Sequence, residues 1–126
     1  MKGGPRLWPG LNHMATPHSS NAVIGEVLHR RDACLVRRLT LRPGETTPWH
    51  RDRCQRVSVI LSGTTLEIEY QDGGVPHRVA VAAGQVDWDM PSERAHRAVN
   101  VGTTRYEEIT IFFLDRPDSV PQPEVT

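Results

Sequence analysis

The sequence predicts an all-β protein, and three observations carry that expectation. Short apolar or alternating stretches recur at intervals of about eight to twelve residues. Gly, Pro and Asp turn signals separate them, and no long stretch repeats its apolar residues with a helical period. A chain of 126 residues suits one domain, and closing such a sheet into a small jelly-roll barrel removes its exposed edges.

Residues 1–20 carry Gly3, Gly4, Pro5, Pro9, Gly10 and Pro17 without a sustained period. They read as an irregular N-terminal arm, in which Leu7 and Trp8 pack either locally or against a second subunit. The barrel is expected over 21–114. Strands are predicted at 22–29 and 33–41, joined by a polar connection at Arg30 to Asp32. The Arg42-Pro43-Gly44 turn precedes a short strand at 46–51, and VSVIL at 57–61 ends at Ser62-Gly63. From 64 to 70 the alternation is clean, with Leu66, Ile68 and Tyr70 on one face and Glu67 and Glu69 on the other. Gln71-Asp72-Gly73-Gly74 makes a hairpin turn, because Asp-Gly and Gly-Gly reach positive φ at low cost. Strands follow at 76–83, 86–90, 96–101 and 106–114. Residues 115–126 form a Pro-rich tail.

Composition narrows the function classes. Fifteen basic and fifteen acidic residues cancel, so no overall field recruits nucleic acid or an anionic membrane. No apolar run approaches the roughly twenty residues of a membrane span. Cys34 and Cys54 are too few for a disulfide framework. The N-terminus has no apolar core of a secretory signal, so a cytoplasmic protein is expected. No phosphate-binding Gly-rich loop, C-x-x-C or G-x-S-x-G turn is present.

Two polar clusters carry the chemistry. GETTPWHRDRCQRVSVILSG at 44–63 places His50, Asp52, Cys54 and Arg56 within seven residues, and PSERAHRAVN at 91–100 supplies His96. On an extended strand His50 and Asp52 project to one side, and His96 can face them across a narrow barrel. Two imidazoles and one carboxylate form a facial triad for a divalent ion (Fe, Mn, Ni or Zn), with positions left open for substrate. The bland alternative is a packed histidine beside Trp49 and an aspartate that starts a turn.

These stretches resemble the two motifs of the cupin superfamily. Gly44 is followed after five residues by His50, and Gly63 closes the first motif at the family distance. Pro91, His96 and Asn100 keep the spacing of the second motif. The resemblance implies a cupin-type jelly-roll barrel (double-stranded β-helix) with an internal pocket. Three histidines and a glutamate hold one metal in similar cupins. Here Asp52 stands at the second histidine, Arg56 (or Val57 with the longer spacing) at the glutamate and Glu93 at the motif-two glycine. His50 and His96 carry over directly.

Arg56 admits three readings. It clamps an anionic group of the substrate beside the metal, or it replaces the metal by pairing with Asp52 and leaves His50 and His96 as acid–base groups, or it faces solvent. Trp49 and Trp88, with Met90 and Phe113, are candidates for an apolar substrate wall or plain core residues. Cys54 reads as a free loop thiol, Cys34 as a buried core residue and Gln55 as a neutral contact. Only one of Glu107 and Glu108 can point inward.

The leading expectation is therefore an enzyme. A divalent metal at His50, Asp52 and His96 acts on a small anionic or oxygen-rich substrate by oxygenation, isomerisation or cyclisation, with His50, Arg56 and His96 catalytic and Trp49, Arg56 and Trp88 contacting substrate. A metal-free cyclase or isomerase and a non-catalytic ligand-binding module are the alternatives. A homodimer is expected, by edge-strand pairing or exchange of the arm.

Overall fold

The computed structural model describes residues 6–7 and 25–114. Its strands follow the predicted order because each alternating stretch has one apolar face to bury. β1 (Arg6–Leu7) pairs with β2 (Gly25–Arg31), which forms a hairpin with β3 (Cys34–Leu41) through a turn at Asp32. β10 (Tyr106–Phe113) lies between β3 and β5 (Arg56–Ser62), and β8 (Val86–Asp89) ends this six-stranded antiparallel sheet. The second sheet has the order β4 (His50–Asp52), β9 (Ser92–Asn100), β6 (Thr65–Tyr70), β7 (His77–Ala80). No helix occurs among the described residues, and hence none long and apolar enough to cross a membrane.

Side chains of alternating parity on the two sheets face each other across the interior. Leu39, Leu41, Ile60, Leu66 and Tyr106 form one buried cluster, and Leu35, Cys54, Phe112 and Leu114 form another. Fully burying each large aliphatic or aromatic side chain contributes about 1.5–3 kcal/mol, and these residues leave room between them for a cavity on the same inner face.

Several local expectations are corrected. The strand predicted at 46–51 is only a single bridge, Thr46 to Val99, followed by a loop and then β4. Pro48 has no N–H to donate, and Thr47 is tied to Ala98 by its backbone N–H and, through its hydroxyl, by the Ala98 N–H. β9 starts at Ser92 rather than at 96, because Ser92 pairs with Asp52. Cys54 is buried in the core rather than exposed on a loop, whereas Cys34 is only half-buried, and the two are not joined by a disulfide. The arm predicted to be irregular contains β1. The expectations for Trp8 and for the tail at 115–126 lie outside the described residues.

The motif glycines and asparagine have structural causes. Gly44 takes a φ of 87° and donates its N–H to the Asn100 carbonyl at 2.7 Å. Gly63 takes a φ of 126°, and a Cβ there would meet Tyr106 Cδ1 at 2.7 Å, so the strand end packs directly on β10. Asn100, 1% exposed, donates from Nδ2 to the carbonyls of Leu41 and Thr104 and accepts from the Gly102 N–H, each at 2.9 Å. It thereby joins both sheets and the turn before β10. Asn100→Ala orphans these backbone groups and should cost about 2–4 kcal/mol, lowering the melting temperature by roughly 10–25 °C. Calorimetry showing a drop below about 3 °C would contradict this role.

Candidate metal centre

β4 and β9 bring the two polar clusters together. His50 sits opposite His96 in the register, and a shift of register then sets Asp52 opposite Ser92. The imidazole centroids lie 4.5 Å apart. Asp52 is 4% exposed, and its Oδ2 lies 2.9 Å from His96 Nε2 and 3.6 Å from His50 Nε2. One donor atom from each of the three side chains falls within a span of 4.8 Å.

The spacing and the tautomers both suit a divalent ion. Two ligands about 2.1 Å from one ion are about 3.0 Å apart at octahedral angles and about 3.4 Å apart at tetrahedral angles. The two His–Asp separations bracket these values. His50 Nδ1 faces the Pro48 carbonyl at 2.7 Å, and His96 Nδ1 faces the Arg94 carbonyl at 2.8 Å. A carbonyl only accepts, so each Nδ1 carries the proton and each Nε2 points a lone pair inward when the ring is neutral. Lone pairs beside a carboxylate oxygen need a shared cation, either a proton or a metal ion.

Electrostatics show the same demand. Burial raises the Asp52 pKa, but hydrogen bonds from His50 and His96 and the Arg56 charge outweigh it and hold the carboxyl well below its usual range. Burial lowers His96, yet its contacts with Asp52 and the Arg94 carbonyl leave it above the usual imidazole value. Arg56 Nη1 is 3.1 Å from the same Asp52 Oδ2, and Arg56 Nη2 is 3.6 Å from Asp89 Oδ2. Burial raises Asp89 in spite of Arg56.

The cluster opens on a cavity of about 360 Å³, at the small end of ligand pockets, which run to about 300–1,000 Å³. Its walls differ in character. Leu39, Ile60, Leu66, Ile68, Val79 and Val81 line the cavity with apolar side chains, and Arg37, Arg56, Asp87, Asp89 and Glu108 line it with charge. Arg37 Nη2 donates to Glu108 Oε2 at 3.2 Å, and the hydroxyls of Tyr106 and Thr110 also donate to Glu108. Ser58 extends this network to Thr110 at 3.1 Å.

The structure thus places His50, Asp52, Arg56 and His96 on one cavity, and Met90 also lines it. The solvent-facing reading of Arg56 is excluded by its two carboxylate partners. Trp49 and Trp88 are not among the residues that line the cavity. Trp88 is 60% exposed because Asp87 and Asp89 take the inward parity of β8; it stacks on Phe113 at 5.5 Å and donates to Gln55 Oε1. Trp49 is 37% exposed beneath the Arg97 guanidinium. Arg37 and Asp89 were missed from sequence, although each shares parity with residues that face inward: Arg37 with Leu35 and Leu39, Asp89 with Asp87.

A jelly-roll barrel enclosing such a cluster defines a cupin. Within that class the chain belongs to the auxin-binding protein family, whose model matches residues 8–119. It is 32% identical over 113 residues to auxin-binding protein 1 of Arabidopsis thaliana, covering 86% of this chain and 52% of that protein. The chain therefore spans about half the length of that relative. Among solved structures, a cupin domain from Bordetella pertussis has a TM-score of 0.64 at 22% identity, covering 71% of this chain and 91% of the other. The polyketide cyclase RemF from Streptomyces resistomycificus has a TM-score of 0.54 at 16% identity, with coverages of 76% and 68%. These likenesses show the fold.

Proposed function

We propose that this protein binds one divalent ion at His50, Asp52 and His96 and takes a small organic anion into the adjoining cavity. The observation that carries this reading is the pair of carbonyl-fixed histidines aimed at one carboxylate oxygen. An ion held there would supply Lewis-acid polarisation of a ligand oxygen. The apolar wall would take the hydrocarbon body of the ligand, and Arg56 would orient its anionic group.

Two outcomes of that binding are in view. The fold shared with a polyketide cyclase supports cyclisation, with oxygenation or isomerisation as further reactions open to a metal-bound ligand, and Arg56 would stabilise developing negative charge. The name of the auxin-binding relative supports ligand capture without turnover, with an apolar-bodied carboxylate as ligand. A metal-free version, in which the Nε2 atoms of His50 and His96 act as acid–base groups while their Nδ1–H bonds to backbone carbonyls orient the rings, is the alternative.

Titration calorimetry with an auxin, before and after chelation, followed by mass spectrometry of the recovered ligand, separates these outcomes. We expect binding only in the metal-loaded protein. An altered ligand establishes an enzyme, and an unchanged one establishes a binding protein. Equal affinity after exhaustive chelation would overturn the metal-dependent reading.

We also propose a homodimer, which the exposed Leu61, Val86 and Trp88 near the β8 edge support. Sedimentation at micromolar concentration should give twice the 14.1 kDa chain mass, and a monomer would refute it. We further propose residence in a reducing compartment such as the cytoplasm, which the lack of a disulfide between Cys34 and Cys54 supports.

A further inference from the structure

Three nitrogen atoms converge on one atom, Asp52 Oδ2: His96 Nε2 at 2.9 Å, Arg56 Nη1 at 3.1 Å and His50 Nε2 at 3.6 Å. The same oxygen is the one carboxylate donor that the candidate metal centre offers. Arg56 is the only one of the three groups that can never become a metal ligand, because its guanidinium has no free lone pair and stays protonated. A divalent ion between the imidazoles and Asp52 would lie a few ångströms from a fixed positive charge in a partly buried site, where such repulsion is strong. Arg56 has a second acceptor already within reach. Its Nη2 is 3.6 Å from Asp89 Oδ2 across the β5–β8 pairing, in which Arg56 and Asp89 are register partners. Asp89 lines the cavity, and among the described residues Arg56 is its ion-pair partner.

Resting on the metal reading above, we propose that Arg56 is a place-holder that the metal displaces. In the metal-free barrel its guanidinium neutralises Asp52, and on metal binding it swings away from Oδ2 to close on Asp89 and face the cavity. The displaced guanidinium then presents its remaining N–H groups to the ligand anion, so the ion must bind before the anion does. Arg56 thereby sets metal affinity by competition and couples it to anion recognition, a reciprocal coupling between two sites. The glutamate-to-arginine departure in the first cupin motif is in this view a regulatory exchange rather than a decayed ligand.

The test uses Zn²⁺ alone, competed against a chromophoric chelator. Arg56→Met should bind Zn²⁺ roughly tenfold or more tightly than the wild-type chain, and Arg56→Lys, which keeps the charge without the two-armed reach, should fall between them. A crystal structure of the Zn²⁺-loaded wild-type protein should show Arg56 beyond hydrogen-bond distance of Asp52 and hydrogen-bonded to Asp89. Zn²⁺ binding by wild type with equal or weaker affinity in Arg56→Met, or a guanidinium still on Asp52 Oδ2 beside the ion, would overturn the displacement while leaving the metal centre intact. Should neither wild type nor Arg56→Met bind Zn²⁺, the metal reading falls and this inference with it. Should Arg56→Met fail to fold, Arg56→Lys and the loaded wild-type structure still decide.

Discussion

Asp52→Ala should remove the ion and a large part of the stability of the metal-free barrel together. Asp52 is the only carboxylate among the three candidate ligands and the shared partner of His50, Arg56 and His96. Loss of a supporting group around a metal commonly lowers affinity 10–100-fold, so loss of a ligand should lower it by at least about 100-fold. Without metal, the variant leaves Arg56 and the two imidazole Nε2 atoms without their shared partner, and removal of one partner of a buried ion pair costs about 3–5 kcal/mol. The lower end applies, since Arg56 can turn to Asp89. His50→Ala should separate the two effects: it loses the ion to the same extent but leaves the Asp52–His96 and Asp52–Arg56 contacts in place. Metal analysis by plasma mass spectrometry and calorimetry in excess chelator measure both quantities. Asp52→Ala as stable as wild type in chelator would show that His50, Arg56 and His96 do not depend on it, and unchanged metal content in either variant would place the ion elsewhere.

The reach of the sequence follows from which features are local. Strand parity is local: Leu66, Ile68 and Tyr70 face the cavity as their alternation requires, and the glycine-rich turn after Tyr70 follows from Asp72 and Gly73. The juxtaposition of His50 and His96 was legible only through the motif resemblance, because it depends on the β4–β9 register across a long chain separation. Of the two partners of Arg56, Asp52 was one of the readings open from sequence, while Asp89 was beyond reach for the same reason. Asp89 becomes its neighbour by cross-strand pairing, and nothing in the sequence between them encodes that register. Trp88 was misplaced because an aromatic residue was weighed by type, while the parity of β8 had already been taken by Asp87 and Asp89. Two acidic residues at alternate positions beside a tryptophan suggest a polar inner face only once the cavity behind them is known to be charged.

Glu108→Ala should be the most damaging change on the opposite wall. Glu108 is buried and accepts from Arg37 and from the hydroxyls of Tyr106 and Thr110. Burial lowers the Arg37 pKa, and the Glu108 charge is the largest influence opposing that. Burial together with the adjoining Glu108 charge drives the Tyr106 phenol far upward, so it remains a donor at any working pH. Removing the carboxylate therefore deprives one buried cation and two hydroxyls of an acceptor at once. A loss of about 3–5 kcal/mol is expected, which for a barrel of this size lowers the melting temperature by roughly 15–30 °C. Glu108→Gln keeps an acceptor for the hydroxyls and should lose less. Combining it with Arg37→Met removes the buried cation as well, so the double variant should be more stable than the sum of the single losses allows. Strict additivity would mean that Arg37 is neutralised by other groups and that Glu108 serves only the hydroxyls. A positive coupling would identify the pair as the structural anchor of the charged wall, which keeps β3 and β10 in register beneath the cavity that Arg56 shares.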